Sequence, residues 1–346
     1  MTGVAVLGAG LYPKQAYFPA LKEIDANLVA LYSRSLKTVT EGYEEAKKHP
    51  GLCSPDFDIY HDEQGSSGID GLLKRDDVTA VVVSLPTTVQ PTVVLKALAA
   101  GKHVLMEKPL AKDIQTSDML ISEYEKTYRP KGLILAVAEQ FRYDAGHDKI
   151  RDTIASGAIG ALTAVHLRLW QLVVPGNQWY ETEWRKTPEY QGGFLLDGGV
   201  HFVALLRHAT SDEIVETASF AKQTLDHLPP LDTVHAALKF KKGALGTLSI
   251  SFASAKTDYS CVFIGEKGSI TVAGEGKGLR VHVQDAAEKS LFDEVVESND
   301  TYKTLFASFL NSAKTGKEDP RGSPRQALAD VAVVESICNG GGNVDK

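Results

Sequence analysis

The chain has 346 residues, more than the roughly 250–300 at which a single hydrophobic core stops growing, so its length predicts two domains. Its hydrophobic content of 43% and charged content of 23% are typical of a soluble globular protein. The net charge of −7 argues against a nucleic-acid-binding protein, whose binding domain would carry a basic face.

The three cysteines are odd in number and widely spaced, which favours reduced thiols over a disulfide framework or a zinc site. The first apolar run begins at Val4, so we expect no secretory leader before it. No apolar run reaches the roughly 18 residues that a membrane-spanning helix needs. We therefore expect a cytoplasmic protein that binds no membrane, no nucleic acid and no metal.

The first half of the chain alternates short apolar runs with longer amphipathic stretches. The apolar runs predict buried strands at Val4–Leu7, Leu28–Tyr32, Ala80–Leu85, Val104–Met106 and Leu133–Ala138. A helix predicted over residues 93–100 ends at Gly101, a favourable residue for a helix C-terminus. This alternation predicts βαβ units, and therefore a Rossmann-type doubly wound parallel sheet with helices on both faces.

After about residue 160 a two-residue alternation of apolar and polar side chains takes over. It predicts strands at 163–170, 233–240 and 244–253, joined by glycine turns at 242–243 and 266–268. Helices are predicted at 302–313 and 325–337, and the glycine-rich tail at 340–342 is expected to be loose. We therefore predict a dinucleotide-binding domain at 1–139. The second domain, 140–346, is predicted to be an α+β domain for substrate binding and oligomerisation, with a large open, mostly antiparallel sheet.

The first predicted strand leads into Gly8-Ala9-Gly10-Leu11-Tyr12-Pro13, a dinucleotide-binding turn with proline in place of the third glycine. In such a turn Gly8 allows the tight bend, and Gly10 lets the backbone approach a pyrophosphate. The third glycine serves helix–strand packing, and proline is well tolerated in a helix's first turn. Pro13 therefore predicts the helix start, and the anion site at the helix N-terminus remains.

The end of the second predicted strand indicates which dinucleotide binds. An Asp or Glu there would hydrogen-bond the ribose 2′-hydroxyl of NAD, but the chain reads Ser33-Arg34-Ser35. The two hydroxyls can donate to a phosphate, and the guanidinium of Arg34 supplies a permanent planar charge that could stack on adenine. The sequence therefore predicts NADP(H) over NAD(H).

The stretch Glu107-Lys108-Pro109 lies at the carboxyl end of a predicted parallel strand. In open α/β sheets this edge faces the crevice where ligands bind, and the proline keeps Lys108 out of helical conformation. Beside an oxidised nicotinamide a desolvated Lys108 would hold its proton less tightly, so it could share in proton transfer.

These motifs together resemble the glucose–fructose oxidoreductase/inositol dehydrogenase/MocA (Gfo/Idh/MocA) family. The resemblance spans essentially the whole chain, through GAG after the first strand and then GKHV…EKP, LDGGVH, IGEKGSI and SPRQAL. The stretch 182–194 further resembles a fungal branch with NADP-dependent members. The resemblance implies a Rossmann domain, a C-terminal α/β domain whose open sheet often forms a dimer or tetramer interface, and hydride transfer at a sugar or cyclitol hydroxyl carbon.

The resemblance also implies roles for particular residues. Lys108 and His201 would act at the reacting hydroxyl with Asp197 supporting them, and the peptide bond before Pro109 is often cis in relatives. Alcohol oxidation needs a base within hydrogen-bond reach of the hydroxyl, and histidine titrates near neutral pH. Asp197 and His201 are four residues apart on a predicted helix, which would place both side chains on one face.

Further candidates complete the predicted site. Relatives place an amide near Gln140, and an aromatic–Arg pair such as Trp184 and Arg185 suits a polyhydroxylated or anionic ligand. The chain departs from the family at residues 84–90, where Thr87 and Gln90 stand for the usual asparagine and histidine.

We predict these coenzyme contacts: Gly8, Gly10, Leu11, Tyr12, Ser33, Arg34, Ser35, Pro86, Thr87, Gln90, Glu107, Lys108 and Gln140. We predict these substrate contacts: Lys108, Arg142, Trp184, Arg185, Asp197 and His201.

The sequence thus predicts an NADP(H)-dependent oxidoreductase that acts on a sugar-like, polyol or other small carbonyl or alcohol substrate. The reaction catalysed could instead be reduction of a non-sugar metabolite, such as a dihydrodiol or a natural-product intermediate. A different class, a non-catalytic NADP-binding sensor of the same fold, would not require Lys108 and His201 to face the nicotinamide together. We expect a homodimer or homotetramer formed through the C-terminal sheet.

Overall fold

The structure is a computed structural model that describes residues 3–63 and 68–344. It divides into two compact units. The first comprises 1–111, 115–140 and 300–327, and the second comprises 112–114, 141–299 and 328–346. The cut at Gln140 falls one residue past the predicted domain boundary. The predicted second domain, 140–346, also contained residues 300–327, which belong to the first unit.

The first unit is built on a six-stranded parallel sheet in the order β3-β2-β1-β4-β5-β6. Its strands are β1 Gly3–Leu7, β2 Asn27–Tyr32, β3 Cys53–Tyr60, β4 Ala80–Val83, β5 His103–Glu107 and β6 Leu135–Ala138. Every residue of β1 and β4 is buried, as their runs of β-branched and aliphatic side chains predict. Successive strands are added on one side of β1 as far as β3 and on its other side from β4 onward. Sheets of this kind bind ligands at such a switch point, here between β1 and β4. The predicted doubly wound parallel sheet is confirmed.

Strand β3 was not predicted. Its sequence, CSPDFDIY, lacks an apolar run, carries a proline and leaves both aspartates exposed. It is an edge strand paired with β2 alone, and edge strands tolerate proline and charge because one side needs no partner. The sequence of β3 therefore contains no hydrophobic pattern from which a strand could be predicted.

Three of the helices begin at a short polar side chain that caps them. Ser35 accepts from the amide of Thr38, Asp144 from those of Gly146 and His147, and Asp300 from that of Lys303. The helices are α1 Phe18–Glu23, α2 Leu36–Lys47, α3 Ile69–Leu73, α4 Gln90–Ala99, α5 Ile114–Glu123, α6 Ala145–Ala155, α7 Glu183–Lys186, α8 Phe194–Asp197, α9 Val200–Thr210, α10 Thr301–Thr315 and α11 Pro324–Cys338.

The second unit contains a nine-stranded sheet in the order β14-β13-β12-β11-β7-β10-β9-β8-β15. Its strands are β7 Leu162–Leu172, β8 Ile214–Lys222, β9 Thr233–Phe240, β10 Leu245–Ser251, β11 Ala253–Gly265, β12 Gly268–Glu275, β13 Gly278–Asp285, β14 Ser290–Glu297 and β15 Gly341–Asn343. All neighbours are antiparallel except β7 and β10, so the predicted large, mostly antiparallel sheet is confirmed.

Residues along the strands of this sheet alternate between buried and exposed, most regularly in β9 and β10. One face is therefore apolar and covered, and α6 packs on β13 and β14 as well as on α9. The tail expected to be loose is instead strand β15, which pairs with β8 through Gly341–Asn343. Gly341 fits there because an added Cβ would lie 2.4 Å from the Thr217 carbonyl oxygen.

Candidate active site

The glycine turn follows β1 in the first unit. Gly8 has φ of +117°, and its amide donates to the Tyr32 carbonyl oxygen at 2.8 Å. A Cβ at Gly8 would lie 2.0 Å from the Ser84 carbonyl oxygen, so no larger residue fits between β1 and the end of β4. Gly10 differs, because it is exposed and no atom lies within 4 Å of where its Cβ would be. Its open surface can accept a close approach from a ligand, as the sequence predicted for a pyrophosphate.

The chain after Gly10 is helical, with Tyr12 at φ −63° and ψ −50°. Pro13 begins a π-helical turn, Pro13–Tyr17, that runs directly into α1. Proline is therefore placed in the first turn, as predicted, where no intrahelical hydrogen bond is lost. Leu11 and Tyr12 are half-buried beside the turn.

The Ser33-Arg34-Ser35 stretch follows β2, with Arg34 exposed and Ser33 8% exposed. The Ser35 hydroxyl caps α2, accepting from the Thr38 amide at 3.2 Å. The structure adds two carboxylates that sequence reasoning missed. Asp62 accepts from the Tyr32 hydroxyl at 2.6 Å, and Glu63 accepts from the Leu36 amide at 3.2 Å. They went unnoticed because they follow the unpredicted strand β3.

The chain that follows β4 brings two predicted coenzyme contacts into the interior. Thr87 is 2% exposed and Gln90 is 1% exposed, while Pro86 is half-buried. The Gln90 amide donates to the Glu107 carbonyl oxygen at 3.1 Å, which fixes its orientation. The side-chain oxygens of Gln90 and Gln140 are buried without a hydrogen-bond partner among the described residues.

Two orphaned acceptors at this edge of the sheet, together with the open surface at Gly10, match the needs of a bound dinucleotide. Buried acceptors normally have partners, and a carboxamide or ribose hydroxyl would supply a donor. The residues of the first unit therefore fit a nicotinamide dinucleotide.

Glu107 ends β5 and is 8% exposed, and both of its carboxyl oxygens accept hydrogen bonds. The fully buried Tyr17 donates its hydroxyl hydrogen to one oxygen, and the Lys108 amide donates to the other at 3.1 Å. Burial, more than the Glu139 charge, raises the pKa of Glu107 from 4.5 to about 7, against the lowering effects of the Lys108 ammonium and the Tyr17 hydroxyl. Lys108 itself is half-buried, and its bond to Pro109 is cis, as the family resemblance implied.

A residue that no motif indicated also reaches this cluster. Tyr302, near the start of α10, forms a short hydrogen bond with the Tyr12 hydroxyl. Its ring lies 5.7 Å from that of Tyr17, and Phe306 packs edge-on against Tyr17 at 5.1 Å. Burial first, and then the Glu107 charge, raise the pKa of Tyr302. Nothing in the sequence indicated this contact, because Tyr302 lies 290 residues after Tyr12.

In the second unit Asp197 ends α8 and is 7% exposed. Its carboxylate accepts from the Arg185 Nε at 2.7 Å. The guanidinium of Arg185 also donates to the Thr182 hydroxyl at 3.0 Å and lies 4.1 Å from the Trp184 ring centroid. The Trp184–Arg185 pair is therefore an aromatic–cation cluster, and Arg185 is bonded to another predicted site residue.

His201 is the second residue of α9, and its ring stacks on Phe141 at 4.8 Å with an interplanar angle of 21°. The spacing predicted that Asp197 and His201 lie on one helix, but Asp197 ends α8 and His201 lies in α9. The chain steps from α8 to α9 through Gly198 and Gly199, where a Cβ on Gly199 would lie 2.3 Å from the Leu195 carbonyl oxygen. Two successive glycines permit that tight step and end α8 early.

Arg142, which was predicted to contact substrate, lies in the interior of the second unit. Its side chain is 3% exposed and donates to Asp330 at 2.5 Å. Arg207 donates to the other oxygen of the same carboxylate and also binds Glu213 at 2.9 and 3.0 Å. Arg142 is thus part of an interior ion cluster of the second unit, which leaves it poorly placed to touch a ligand.

Within 3–63 and 68–344 no group of His, Cys, Asp or Glu is arranged to hold a metal ion. Over the same residues, no helix is both long and apolar enough to cross a membrane.

These features define a dinucleotide-binding protein with a second α+β unit, and comparison with known proteins places it in a family. Residues 2–133 match the model of an oxidoreductase family with an NAD-binding Rossmann fold, and residues 147–271 match the Gfo/Idh/MocA C-terminal domain. The chain belongs to the Gfo/Idh/MocA oxidoreductase family, as the sequence motifs indicated.

Three relatives illustrate the match. Dehydrogenase FPY6 of Fusarium mangiferae is 34% identical over 97% of this chain and 95% of its own length. The 1,5-anhydro-D-fructose reductase of Ensifer adhaerens is 26% identical over 79% of this chain and 82% of its own. The crystal structure of an oxidoreductase from Thermotoga maritima superposes with a TM-score of 0.86 at 26% identity, covering 99% of this chain and 98% of that one.

Proposed function

We propose that this oxidoreductase transfers hydride between NADP(H) and a sugar-like, polyol or other small carbonyl or alcohol substrate. The observation that carries the proposal is the single edge of the first sheet that holds the open glycine turn at Gly10, the orphaned acceptors of Gln90 and Gln140, and Lys108. Carboxyl ends of parallel strands share one edge, so coenzyme and a proton-carrying side chain meet there. The bound coenzyme supplies or accepts the hydride.

The protein's own residues supply the proton chemistry. A carbonyl oxygen that gains electron density as hydride arrives needs a proton, and the Lys108 ammonium and the His201 imidazole are groups that can give one. Asp197, bonded to the Arg185 guanidinium, serves to orient its neighbours rather than to carry a proton. In the alcohol-oxidising direction the same groups take the proton back.

We propose NADP(H) over NAD(H) because Ser33, Arg34 and Ser35 follow β2 where a carboxylate would select NAD. Asp62 and Glu63 also lie at this end of the sheet, and a carboxylate can select NAD. Comparing the affinities for NADPH and NADH therefore tests the coenzyme assignment. Dissociation constants for NADPH and NADH, measured by fluorescence on one preparation, should favour NADPH by at least tenfold. Arg34→Ala should weaken NADPH binding and leave NADH binding within twofold. A preference for NADH would overturn the coenzyme assignment.

Relatives guide the substrate class that we propose. The Ensifer adhaerens relative is named a reductase of 1,5-anhydro-D-fructose and the Fusarium relative a dehydrogenase. In this chain Trp184 and Arg185 provide a flat aromatic face and a hydrogen-bonding cation, a pair that suits a polyhydroxylated ligand. Panels of sugars, inositols, dihydrodiols and aldehydes, followed through the absorbance of the reduced coenzyme, would identify the substrate.

Substitution tests the catalytic assignment. Lys108→Ala and His201→Ala should each lower turnover by roughly 10²–10⁴-fold with NADPH affinity nearly unchanged. Lys126→Ala, which removes an exposed lysine elsewhere in the first unit, is the matched control and should turn over normally. Full turnover in the two variants would remove both residues from catalysis. No turnover by the unsubstituted protein on any panel, with tight NADPH binding, would favour a coenzyme-binding sensor instead.

We also propose a homodimer or homotetramer formed through the open face of the second sheet. Phe220 on β8 is 89% exposed, and its cross-strand partner His235 on β9 is exposed beside it. Next to them Ala218 faces Ala237, and Trp170 on β7 also lines this concave face. A broad face with a large exposed aromatic side chain is typical of a protein–protein interface.

A further inference from the structure

The ring of Phe141 contacts the His201 imidazole, which the proposed function uses for proton transfer. The two ring centroids are 4.8 Å apart and the ring planes are 21° from parallel, so the rings are stacked. Both residues belong to the second unit, and both are half-buried. Phe141 thus touches a candidate catalytic group but has no acid–base chemistry of its own.

Phe141 is itself held in place by two further rings. The His147 ring lies 4.9 Å from it, and the Phe202 ring packs edge-on against it at 5.6 Å. His147 is 5% exposed, and its Nδ1 donates to the Phe141 carbonyl oxygen at 2.9 Å. Both the side chain and the backbone of Phe141 are therefore fixed.

The turn that leads into α6 is anchored to the loop that follows β14. Asp144 accepts from the Ser298 hydroxyl at 2.5 Å. The Asn299 side chain donates to the Tyr143 carbonyl oxygen at 3.0 Å and accepts from the Ala145 amide at 2.8 Å. The ring that stacks on the imidazole is thus mounted on a tightly bonded part of the second unit.

Stacking matters for His201 because the torsion that rotates an imidazole about its Cβ–Cγ bond has no sharp energy wells. A flat ring against one face excludes the orientations in which the imidazole would cross the plane of that ring. Proton transfer requires the imidazole to lie within hydrogen-bond reach of the substrate oxygen. A misplacement of about 1 Å can slow such a step by on the order of 100-fold.

We propose that Phe141 is the positioning residue of His201, and that its ring fixes the plane in which the imidazole meets the substrate oxygen. This rests on the proposed function, in which His201 gives or takes the proton at that oxygen. Phe141 itself makes and breaks no bond. Removing its ring should therefore slow the chemical step and leave the binding of coenzyme and substrate intact.

The test follows the His201 ring directly, in the full chain without coenzyme or substrate. In deuterated protein with ¹³C-labelled histidine, nuclear magnetic relaxation of the ring carbons reports how freely each imidazole moves, and His201→Asn identifies the His201 signal. Phe141→Leu and Phe141→Met keep an apolar side chain without a flat face, whereas Phe141→Tyr keeps the ring. Phe292→Leu is the matched control, because Phe292 is another half-buried phenylalanine of the second unit, with its ring against Lys149.

The order parameter of the His201 ring should fall from the rigid range, about 0.85, to below about 0.6 in Phe141→Leu and Phe141→Met. It should stay in the rigid range in Phe141→Tyr and in Phe292→Leu. A rigid His201 ring in Phe141→Leu would overturn the proposal. If Phe141→Leu does not fold, Phe141→Met decides alone.

Kinetics with a substrate from the panel gives a second readout. For Phe141→Leu, kcat should fall by roughly 10–100-fold while KM and NADPH affinity stay within about twofold, and Phe141→Tyr should restore kcat. A role in packing alone would lower the melting temperature without separating kcat from KM, and an unchanged kcat in Phe141→Leu would contradict the proposal. Full turnover by His201→Ala would instead sink the proposed function, whatever the ring motion shows.

Discussion

At the scale of single residues, Asp330 is the carboxylate that holds Arg142, a residue predicted to contact substrate. It is 1% exposed on α11, and each of its oxygens accepts from a guanidinium, one of Arg142 and one of Arg207. Three separate segments of the second unit are therefore joined through one carboxylate. A buried charge keeps its ionised form only with such partners, so the cluster is a structural requirement of this unit.

Replacing Asp330 with alanine leaves two buried guanidinium groups without their shared counter-ion. We expect the free energy of unfolding to fall by about 3–5 kcal/mol, the usual result of removing one partner from a buried ion pair. Asp293→Ala, which removes an exposed carboxylate from a pair with Arg280 on neighbouring strands, is the control. Urea denaturation followed by circular dichroism measures both. Equal midpoints for the two variants would mean that the buried cluster contributes no more than a surface pair.

Glu107 makes stability depend on pH. Its pKa is raised by burial from 4.5 in an unfolded chain to about 7 in the folded protein, so the folded state binds the extra proton between those values. The unfolding free energy should therefore fall as pH rises from 4.5 to 7, by about 3 kcal/mol from this group. Glu107→Gln cannot titrate and should lack that slope. Thermal unfolding at pH 5 and pH 8 measures it, and parallel slopes in the two proteins would contradict the expectation.

Candidate site residues can be proposed from the sequence where one residue type carries the chemistry. The glycines of the turn, and Lys108 at a strand end before proline, follow from backbone geometry and were read from short motifs. The ion pair of Arg142 could not be predicted, because its partner Asp330 lies 188 residues further on. Tyr17 and Tyr302 were missed because a buried aromatic side chain in a helix looks the same in sequence whether it packs or binds a carboxyl group.

At the scale of elements, the two glycines of the turn between β1 and α1 are expected to differ in role: Gly8 is needed for folding and Gly10 for coenzyme binding. Gly8 has a positive φ and lies against the Ser84 carbonyl, whereas Gly10 has empty space around it. Gly8→Ala should therefore destabilise the first unit by several kcal/mol and weaken binding as a consequence.

Gly10→Ala offers the sharper test, since the structure itself has room for the methyl group. We expect its melting temperature to stay within about 2 °C of the original, because nothing is displaced. NADPH affinity should fall at least tenfold, because the methyl group would occupy the space of the pyrophosphate. Differential scanning fluorimetry and coenzyme titration of one sample measure both quantities. Unchanged affinity would place the pyrophosphate elsewhere.

Elements with a strong hydrophobic signal in the sequence were predicted, and elements without one were not. The buried strands β1, β2, β4, β5 and β6 were found because apolar runs identify them. Strand β3 escaped because an edge strand needs no such run, and β15 escaped because a glycine-rich tail gives no side-chain signal while its backbone still pairs with β8. The division of one predicted helix into α8 and α9 was not predicted; it falls at Gly198 and Gly199, both of which have right-handed helical dihedral angles.

At the scale of the whole molecule, the chain's return to the first unit shows what local patterns do not encode. The helix at residues 302–313 was predicted, and it appears as α10, but its unit was not. It joins the first unit because Tyr302 and Phe306 pack against Tyr17, contacts that depend on the finished fold rather than on neighbours in sequence. Element type is thus a local property, and membership of a unit is not.

The proposed homo-oligomer gives the prediction at this scale. Phe220 projects from β8 with 89% of its surface exposed, so burying it against a second copy would remove a large apolar area from water. Light scattering coupled to size-exclusion chromatography should give at least twice the chain mass of 37.4 kDa. Phe220→Asp should reduce that mass toward one chain, because an isolated charge at the centre of an interface is costly to desolvate. Leu291→Asp, at an exposed site on the edge strand β14, is the control and should keep the larger mass. A single-chain mass for the unsubstituted protein at micromolar concentration would leave this face without the partner proposed for it.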